Sequence, residues 1–341
     1  MIEFKVGILG AGHIAGVIAD TLNQLEGFTP YAIASRDMDK AVAFGTEHNV
    51  KVCYGSYEEL LEDKEVEMIY IATVHSTHAE LAKKCIDAGK PCLVEKPFSY
   101  NAKTAAEVLK YADEKGVFCG EAMWLRYHPL MKLILEFVQK GVIGDVRTVI
   151  ADLGYNLRSV ERLTQPETAG GALLDVGVYP LTAVFMIMGG PPISVASNYS
   201  KTNTGVDAYS TIQLSFPNGR FATIISSMMG RLDNKCIIYG TEGRIEVNNT
   251  NCPELVRIYG PDGNQTQELK MRDRYINGYE YEFLAAREAI IVGRQETPEN
   301  TRTDIMNLYA FIDTLRASWD LIYPLPGEDD VRAKRPDTQR V

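Results

Sequence analysis

The chain predicts an α/β fold in two parts: an N-terminal doubly wound parallel sheet, then a second α/β domain whose sheet is mostly antiparallel. Three observations carry this. Over the first 120 or so residues, short apolar runs alternate with stretches of helical periodicity. After residue 122 that rhythm breaks. From Ile193 to about Leu269 the chain reads as successive strands with turn signals between them.

The elements follow in order. Lys5–Leu9, Tyr31–Ala34, Met68–Ala72 and Pro91–Val94 are short apolar runs suited to strands buried on both faces. Val117–Cys119 reads as a last strand. Helices fall between them at Ile14–Leu25, from Asp37 to about Glu47, at Ala79–Asp87 and at Asn101–Lys115. Asp37 is an N-cap residue type, and Gly89 and Gly116 are helix-terminating glycines. Strand and helix in steady alternation imply a parallel sheet with helices on both faces. In the second part, helix is expected at Leu130–Gln139, strand at Val146–Gly154 and helix at Ala172–Met188. Thr211–Phe216 alternates polar with apolar, Pro217-Asn218-Gly219 reads as a hairpin turn, and Tyr239–Arg244 as a reversal. Helices at Tyr279–Val292 and Thr303–Ser318 follow. The division expected is 1–122, 123–325 and a loose polar tail over 326–341.

Composition narrows the function classes. A formal net charge of -10 disfavours non-specific binding to nucleic acid or an anionic membrane. The opening MIEFKVGILGAG lacks the basic, apolar layout of a secretory leader, and no stretch was expected to reach the roughly 20 apolar residues of a spanning helix. The six cysteines form no C-x-x-C pair and read as reduced, buried thiols. A cytoplasmic protein is the expectation.

Gly10-Ala11-Gly12-His13-Ile14-Ala15 directly follows the first strand and opens the first helix. Gly10 permits the tight turn, Gly12 close approach of a pyrophosphate, and Ala15 close packing of helix on strand. The backbone N–H groups at His13 and Ile14 then face the diphosphate. The second strand runs into Ile33-Ala34-Ser35-Arg36-Asp37, where an NAD site carries an acid for the ribose diol. Ser35 and Arg36 suit a 2′-phosphate instead, so NADP is expected over NAD. Asp37 is expected to cap the next helix; were the strand one residue longer, it would take the diol.

Glu95-Lys96-Pro97 lies just past a buried strand, at the sheet edge where ligands of such folds bind. Proline restricts the backbone of Lys96 and so aims it. In Gly170-Gly171-Ala172-Leu173-Leu174-Asp175-Val176-Gly177-Val178-Tyr179-Pro180, Asp175 and Tyr179 are four apart and share a helical face. A buried Asp–Tyr hydrogen bond would explain that pair equally well.

Taken in order, G-x-G-x-x-A, Ile71-Ala72-Thr73 with His78 after it, Glu-Lys-Pro, Glu121–Arg126 and the Gly170–Pro180 run resemble the glucose–fructose oxidoreductase / inositol dehydrogenase (Gfo/Idh/MocA) family. The likeness spans roughly residues 5 to 320 and is greatest to the dimeric dihydrodiol dehydrogenase and NADP-dependent aldose dehydrogenase branch. The resemblance implies a Rossmann domain followed by an α/β domain with an open, mostly antiparallel sheet, and a homodimer or homotetramer. It implies hydride transfer to or from a hydroxyl or carbonyl carbon of a sugar, polyol or vicinal diol. Thr73, His75, His78, Glu95 and Lys96 would join the cofactor site, with His75 where the family usually has Asn. Lys96, Tyr179 and Asp175 would be catalytic, Tyr179 standing where many members carry His.

A nearby ammonium favours the phenolate of a tyrosine, so Lys96 would activate Tyr179; the reverse assignment, with Lys96 as acid/base, stays open. Trp124, Arg126 and Tyr155 would line the substrate pocket, though Trp124 and Tyr155 also suit a core. His75 and His78 are spaced H-x-x-H, yet no further ligand lies near in sequence, and no metal is expected. Three alternatives remain within the same fold: a glycoside hydrolase that recycles its cofactor in place, a non-catalytic dinucleotide-sensing binder, and an oxidoreductase that keeps its cofactor bound and shuttles hydride between two sugars.

Overall fold

A computed structural model describes residues 4–271 and 276–335, and they fall into two compact units. In the first, the strands are β1 Phe4–Leu9, β2 Phe28–Ala34, β3 Val52–Tyr54, β4 Met68–Ile71, β5 Cys92–Glu95 and β6 Cys119–Ala122. The helices between them are α1 His13–Gln24, α2 Met38–Glu47, α3 Tyr57–Glu62, α4 His78–Asp87 and α5 Ala102–Lys115. The strands are all parallel, in the order β3-β2-β1-β4-β5-β6. The order turns back between β1 and β4, so crossover helices cover both faces and the carboxyl ends of β1 and β4 diverge to leave a ligand crevice.

The sequence reading passed over β3 and α3. Its signal was local: Ser56 and Glu59 form a reciprocal capping box at the start of α3. It also set the last strand too early. β6 contains Glu121, a buried carboxylate that interrupts the apolar pattern.

The second unit holds an eight-stranded sheet: β7 Val146–Gly154, β8 Ser194–Lys201, β9 Asp207–Phe216, β10 Arg220–Ser227, β11 Lys235–Gly240, β12 Gly243–Asn248, β13 Leu255–Tyr259 and β14 Gln265–Lys270. The order is β14-β13-β12-β11-β7-β10-β9-β8, antiparallel except for the β7–β10 pair. Both expected hairpins are present, closing at Phe216↔Arg220 and Gly240↔Gly243. The helices are α6 Trp124–Tyr127, α7 Pro129–Gln139, α8 Glu161–Thr164 and α9 Val178–Met188. Three more follow in the chain: α10 Glu280–Ile291, α11 Arg302–Ser318 and α12 Glu328–Ala333.

Three expectations need correction. First, the units are not contiguous: Arg274–Ile305 belongs with the first, and Tyr100–Lys103 with the second. The reason is the apolar face of α10, which buries Phe283, Ala286 and Ala289 in the core of the parallel sheet. Second, the expected loose tail is structured through α12, because Glu328 ion-pairs with the fully buried Arg316 and Asn101 donates to Glu328 at 2.9 Å. The remainder of that tail, 336–341, lies outside the described residues. Third, Pro166–Met188 is long and apolar enough to cross a membrane. It is almost wholly buried inside the protein, as the central helix of a large core is.

Candidate active site

In the first unit, a glycine turn joins the carboxyl end of β1 to the start of α1. Gly10 has φ +99°, a conformation open to glycine, and an added Cβ would meet the Ala72 carbonyl oxygen at 2.8 Å. Gly12 caps α1 with no side-chain cap, and an added Cβ there would meet nothing within 4 Å. Gly12 therefore keeps open the space directly over uncapped backbone N–H groups. His13 is exposed and Ile14 half-buried at this helix start, while Ala15 is fully buried.

β2 ends at Ala34, and Asp37 turns away into α2, accepting N–H groups from Asp39 at 3.0 Å and Lys40 at 3.3 Å. The expectation that Asp37 caps the helix holds. Ser35 is buried at the strand end and accepts the Asp37 N–H at 3.3 Å. Arg36 is exposed and bonded to Tyr57, whose phenol is pushed up by burial and drawn partly back by that guanidinium.

The loops after β4 and β5 are tied together by His78. This buried ring donates from Nδ1 to the Pro97 carbonyl at 2.8 Å, and its Nε2 faces the Thr73 carbonyl at 3.2 Å. His78 thus shapes both loops from beneath. The Thr73 and Thr77 hydroxyls bond at 2.8 Å, and the buried His75 ring packs edge-on against His78. The Lys96–Pro97 peptide is cis, with Lys96 half-buried. Glu95 is turned inward: its Oε1 accepts from the Tyr70 hydroxyl at 2.5 Å and its Oε2 from the Lys96 N–H at 3.0 Å.

The second unit supplies the Asp175–Tyr179 segment. The regular α-helix expected over Ala172–Met188 is corrected at its start, where Leu173–Gly177 winds as a π-helix and α9 begins only at Val178. Such single π turns widen the helix locally and recur at functional sites. Two contacts set it up. Gly171 has φ +113°, and the Asp207 carboxylate beside it accepts the Leu173 N–H at 2.6 Å. Asp175 is buried, with Arg162 of α8 3.4 Å from its Oδ1. Tyr179 is buried with its ring 6.5 Å from that of Trp124, edge to face. Arg126 is buried two residues further along α6. Tyr155 is half-buried, its hydroxyl 3.4 Å from Asn251. Sequence reasoning missed Arg162, because α8 is a four-residue turn in a polar loop, and missed Asp207, which opens a plain alternating strand.

Residues 4–123 match the oxidoreductase family with an NAD-binding Rossmann fold, and residues 131–246 match the GFO/IDH/MocA C-terminal domain. The trans-1,2-dihydrobenzene-1,2-diol dehydrogenase of Bos taurus is 36% identical over 326 residues, 93% of this chain and 97% of that protein. The chain belongs to the GFO/IDH/MocA oxidoreductase family. The dihydrodiol dehydrogenase of Mus musculus is 32% identical over 93% of this chain and 97% of its own length. Among solved structures, a 3-ketoreductase from Actinomadura kijaniata with NADP and TDP-benzene overlays at TM-score 0.82 with 24% identity, covering 92% of this chain and 97% of its own. An aldose-aldose oxidoreductase from Caulobacter crescentus overlays at 0.83 with 22% identity, covering 93% and 98%. The two-part α/β fold is that of the family, and the chain is an oxidoreductase acting on CH–OH groups.

Proposed function

We propose that this enzyme uses NADP to oxidise a hydroxyl carbon, or reduce the corresponding carbonyl, of a sugar, polyol or vicinal diol. The observation that carries the cofactor reading is the diversion of Asp37 into the α2 cap, which leaves Ser35 and Arg36 at the β2 edge. The residues fit the dinucleotide: Gly10 and Gly12 leave room over the uncapped start of α1, and Arg36 offers a guanidinium for a 2′-phosphate. Relatives support the substrate class, since two are dehydrogenases of a cyclic dihydrodiol and one structural neighbour is an aldose-aldose oxidoreductase.

When bound, the nicotinamide accepts or donates the hydride. Tyr179 moves the proton at the reacting oxygen, through its hydroxyl. Lys96 presents its ammonium to the reacting oxygen. Asp175, charge-balanced by Arg162, holds a neighbouring substrate hydroxyl. Trp124 orients the Tyr179 ring and offers an apolar wall to a sugar face or a diol ring. A homo-oligomer is supported by the outer face of the eight-stranded sheet, where Ile150, Tyr209, Phe221 and Tyr239 are exposed together. Residence in the cytoplasm is supported by the six free cysteines.

The test is absorbance at 340 nm with NADP or NAD and a panel of aldoses, inositols and trans-dihydrodiols. Lys96→Ala and Tyr179→Phe should each lower turnover by at least ~100-fold with NADPH still bound. Near-wild-type rates in both would sink the assignment. Tight NADPH binding with no turnover across the panel would instead favour the cofactor-recycling hydrolase or the sensing protein.

A further inference from the structure

We propose that Tyr70, Glu282 and Glu121 are positioning residues that hold the Lys96 turn in its working geometry from inside the first unit. The inference rests on the reading of Lys96 as a catalytic group and adds what fixes it. Three backbone groups of the turn are bound by buried side chains. The Lys96 N–H donates to Glu95, the Phe98 N–H donates to Glu121 Oε1 at 3.1 Å, and the Pro97 carbonyl accepts from His78. The two carboxylates are themselves held. Asn300 donates to Glu121 Oε2 at 3.3 Å, and Tyr70 donates to Glu95 Oε1. Glu282, from α10, places Oε1 3.3 Å from the same Tyr70 oxygen.

Counting protons gives the order of the chain. Tyr70 has one hydroxyl proton, and the 2.5 Å contact to Glu95 takes it. The contact from Glu282 to the Tyr70 oxygen then needs a proton on Glu282. Burial pushes Glu282 well above the carboxylate range; Glu95, Glu121 and Glu280 add to the effect, and the Tyr70 hydroxyl offsets part of it. Burial likewise keeps Tyr70 protonated, with Glu95, Glu282 and Tyr279 facing it. Glu280 stands apart, capping the N–H groups of Ile276, Asn277 and Gly278. The result is a directed series: Glu282 donates to Tyr70, Tyr70 to the Glu95 carboxylate, and that carboxylate accepts the amide of Lys96. The Tyr70 bond to the Glu95 carboxylate is charge-assisted and so among the strong ones.

The experiment compares Tyr70→Phe, Glu282→Gln, Glu282→Leu and Lys96→Ala in the full-length protein. Readouts are kcat, KM and the pH profile of kcat with the most active panel substrate, NADPH affinity by fluorescence, and the infrared carboxyl C=O band. Tyr70→Phe removes the donor to Glu95, so Glu95 should protonate more readily. The kcat should fall about tenfold, with its acid limb moved to higher pH and NADPH affinity within about threefold. Glu282→Gln keeps a donor to Tyr70 and should restore the wild-type profile, whereas Glu282→Leu should follow Tyr70→Phe. A protonated-carboxyl band from Glu282 should stand at neutral pH in the difference between wild type and Glu282→Gln, where the Asp207 signal cancels. An unmoved pH profile in both Tyr70→Phe and Glu282→Leu, with Lys96→Ala inactive, overturns this inference alone; an active Lys96→Ala overturns the reading beneath it as well. Absence of the band from the difference spectrum overturns the proton order without any assay of turnover.

Discussion

At the end of β2, cofactor choice comes down to one carboxylate and the direction it faces. Asp37 accepts two N–H groups of α2, so its charge belongs to the helix start. Arg36 stands exposed against Tyr57. Arg36→Ala should therefore weaken NADP binding about tenfold or more and leave NAD nearly unchanged, as measured by titrating both against intrinsic fluorescence. Loss of NAD affinity instead would mean that the arginine serves the adenine or ribose common to both. This much was legible in the sequence, because Ser35, Arg36 and Asp37 act within a few residues of where they are written. Glu282 and Asp207 were not. Each acts on a residue far along the chain, Tyr70 in one case and Leu173 in the other, and no local pattern marks either.

At the scale of elements, the π turn at Leu173–Gly177 is the feature periodicity could not reveal. The apolar run from Ala172 to Met188 fits an unbroken α-helix, and the extra residue per turn leaves no mark in its composition. What sets it is steric. An added Cβ at Gly171 would lie 2.1 Å from the Asp207 carboxylate, and one at Gly177 would press on Ser226 at 3.1 Å. Gly171→Ala combines that clash with a φ of +113°. It should destabilise by ~2–4 kcal/mol and lower kcat beyond what the stability loss explains, since the segment it displaces carries Asp175 and Tyr179. Urea midpoints with kinetics at low temperature would check this; an alanine variant with wild-type midpoint would remove the steric argument. Strands read better than helix boundaries here. Mostly apolar β1 and β4 and alternating β9 follow from burial on two faces or one, whereas β6 was displaced by the buried Glu121.

For the whole molecule, two buried groups give opposed responses to acid. Burial pushes the Asp207 carboxyl up to about 7 from 3.8, and lowers His128 to about 4 from 6.5. Between pH 3.8 and 7, folded Asp207 binds a proton that the unfolded chain releases, so its contribution to stability falls as pH rises. Between pH 4 and 6.5, unfolded His128 binds a proton that the folded chain refuses, so its contribution rises with pH. The two nearly cancel in their shared window. Asp207→Asn keeps an acceptor for Leu173 but removes one side of the balance. Relative to the variant, the wild type should gain on the order of a few kcal/mol as pH falls from 7 toward 4. A difference in melting temperature that does not vary with pH would refute the buried-acid account.

The non-contiguous first unit bears on how the protein is made. Its parallel sheet is complete by Ala122, yet Phe283 stacks on Tyr70 and packs against Phe28, and Ala286 and Ala289 complete the same core. A ribosome adding about 5–20 residues per second delivers α10 many seconds after β6 has emerged. In that interval the nascent sheet shows the apolar patch around Phe28 and Tyr70 to its surroundings, a surface on which chaperones act. The first unit therefore matures late, closed by a segment translated after most of the second unit.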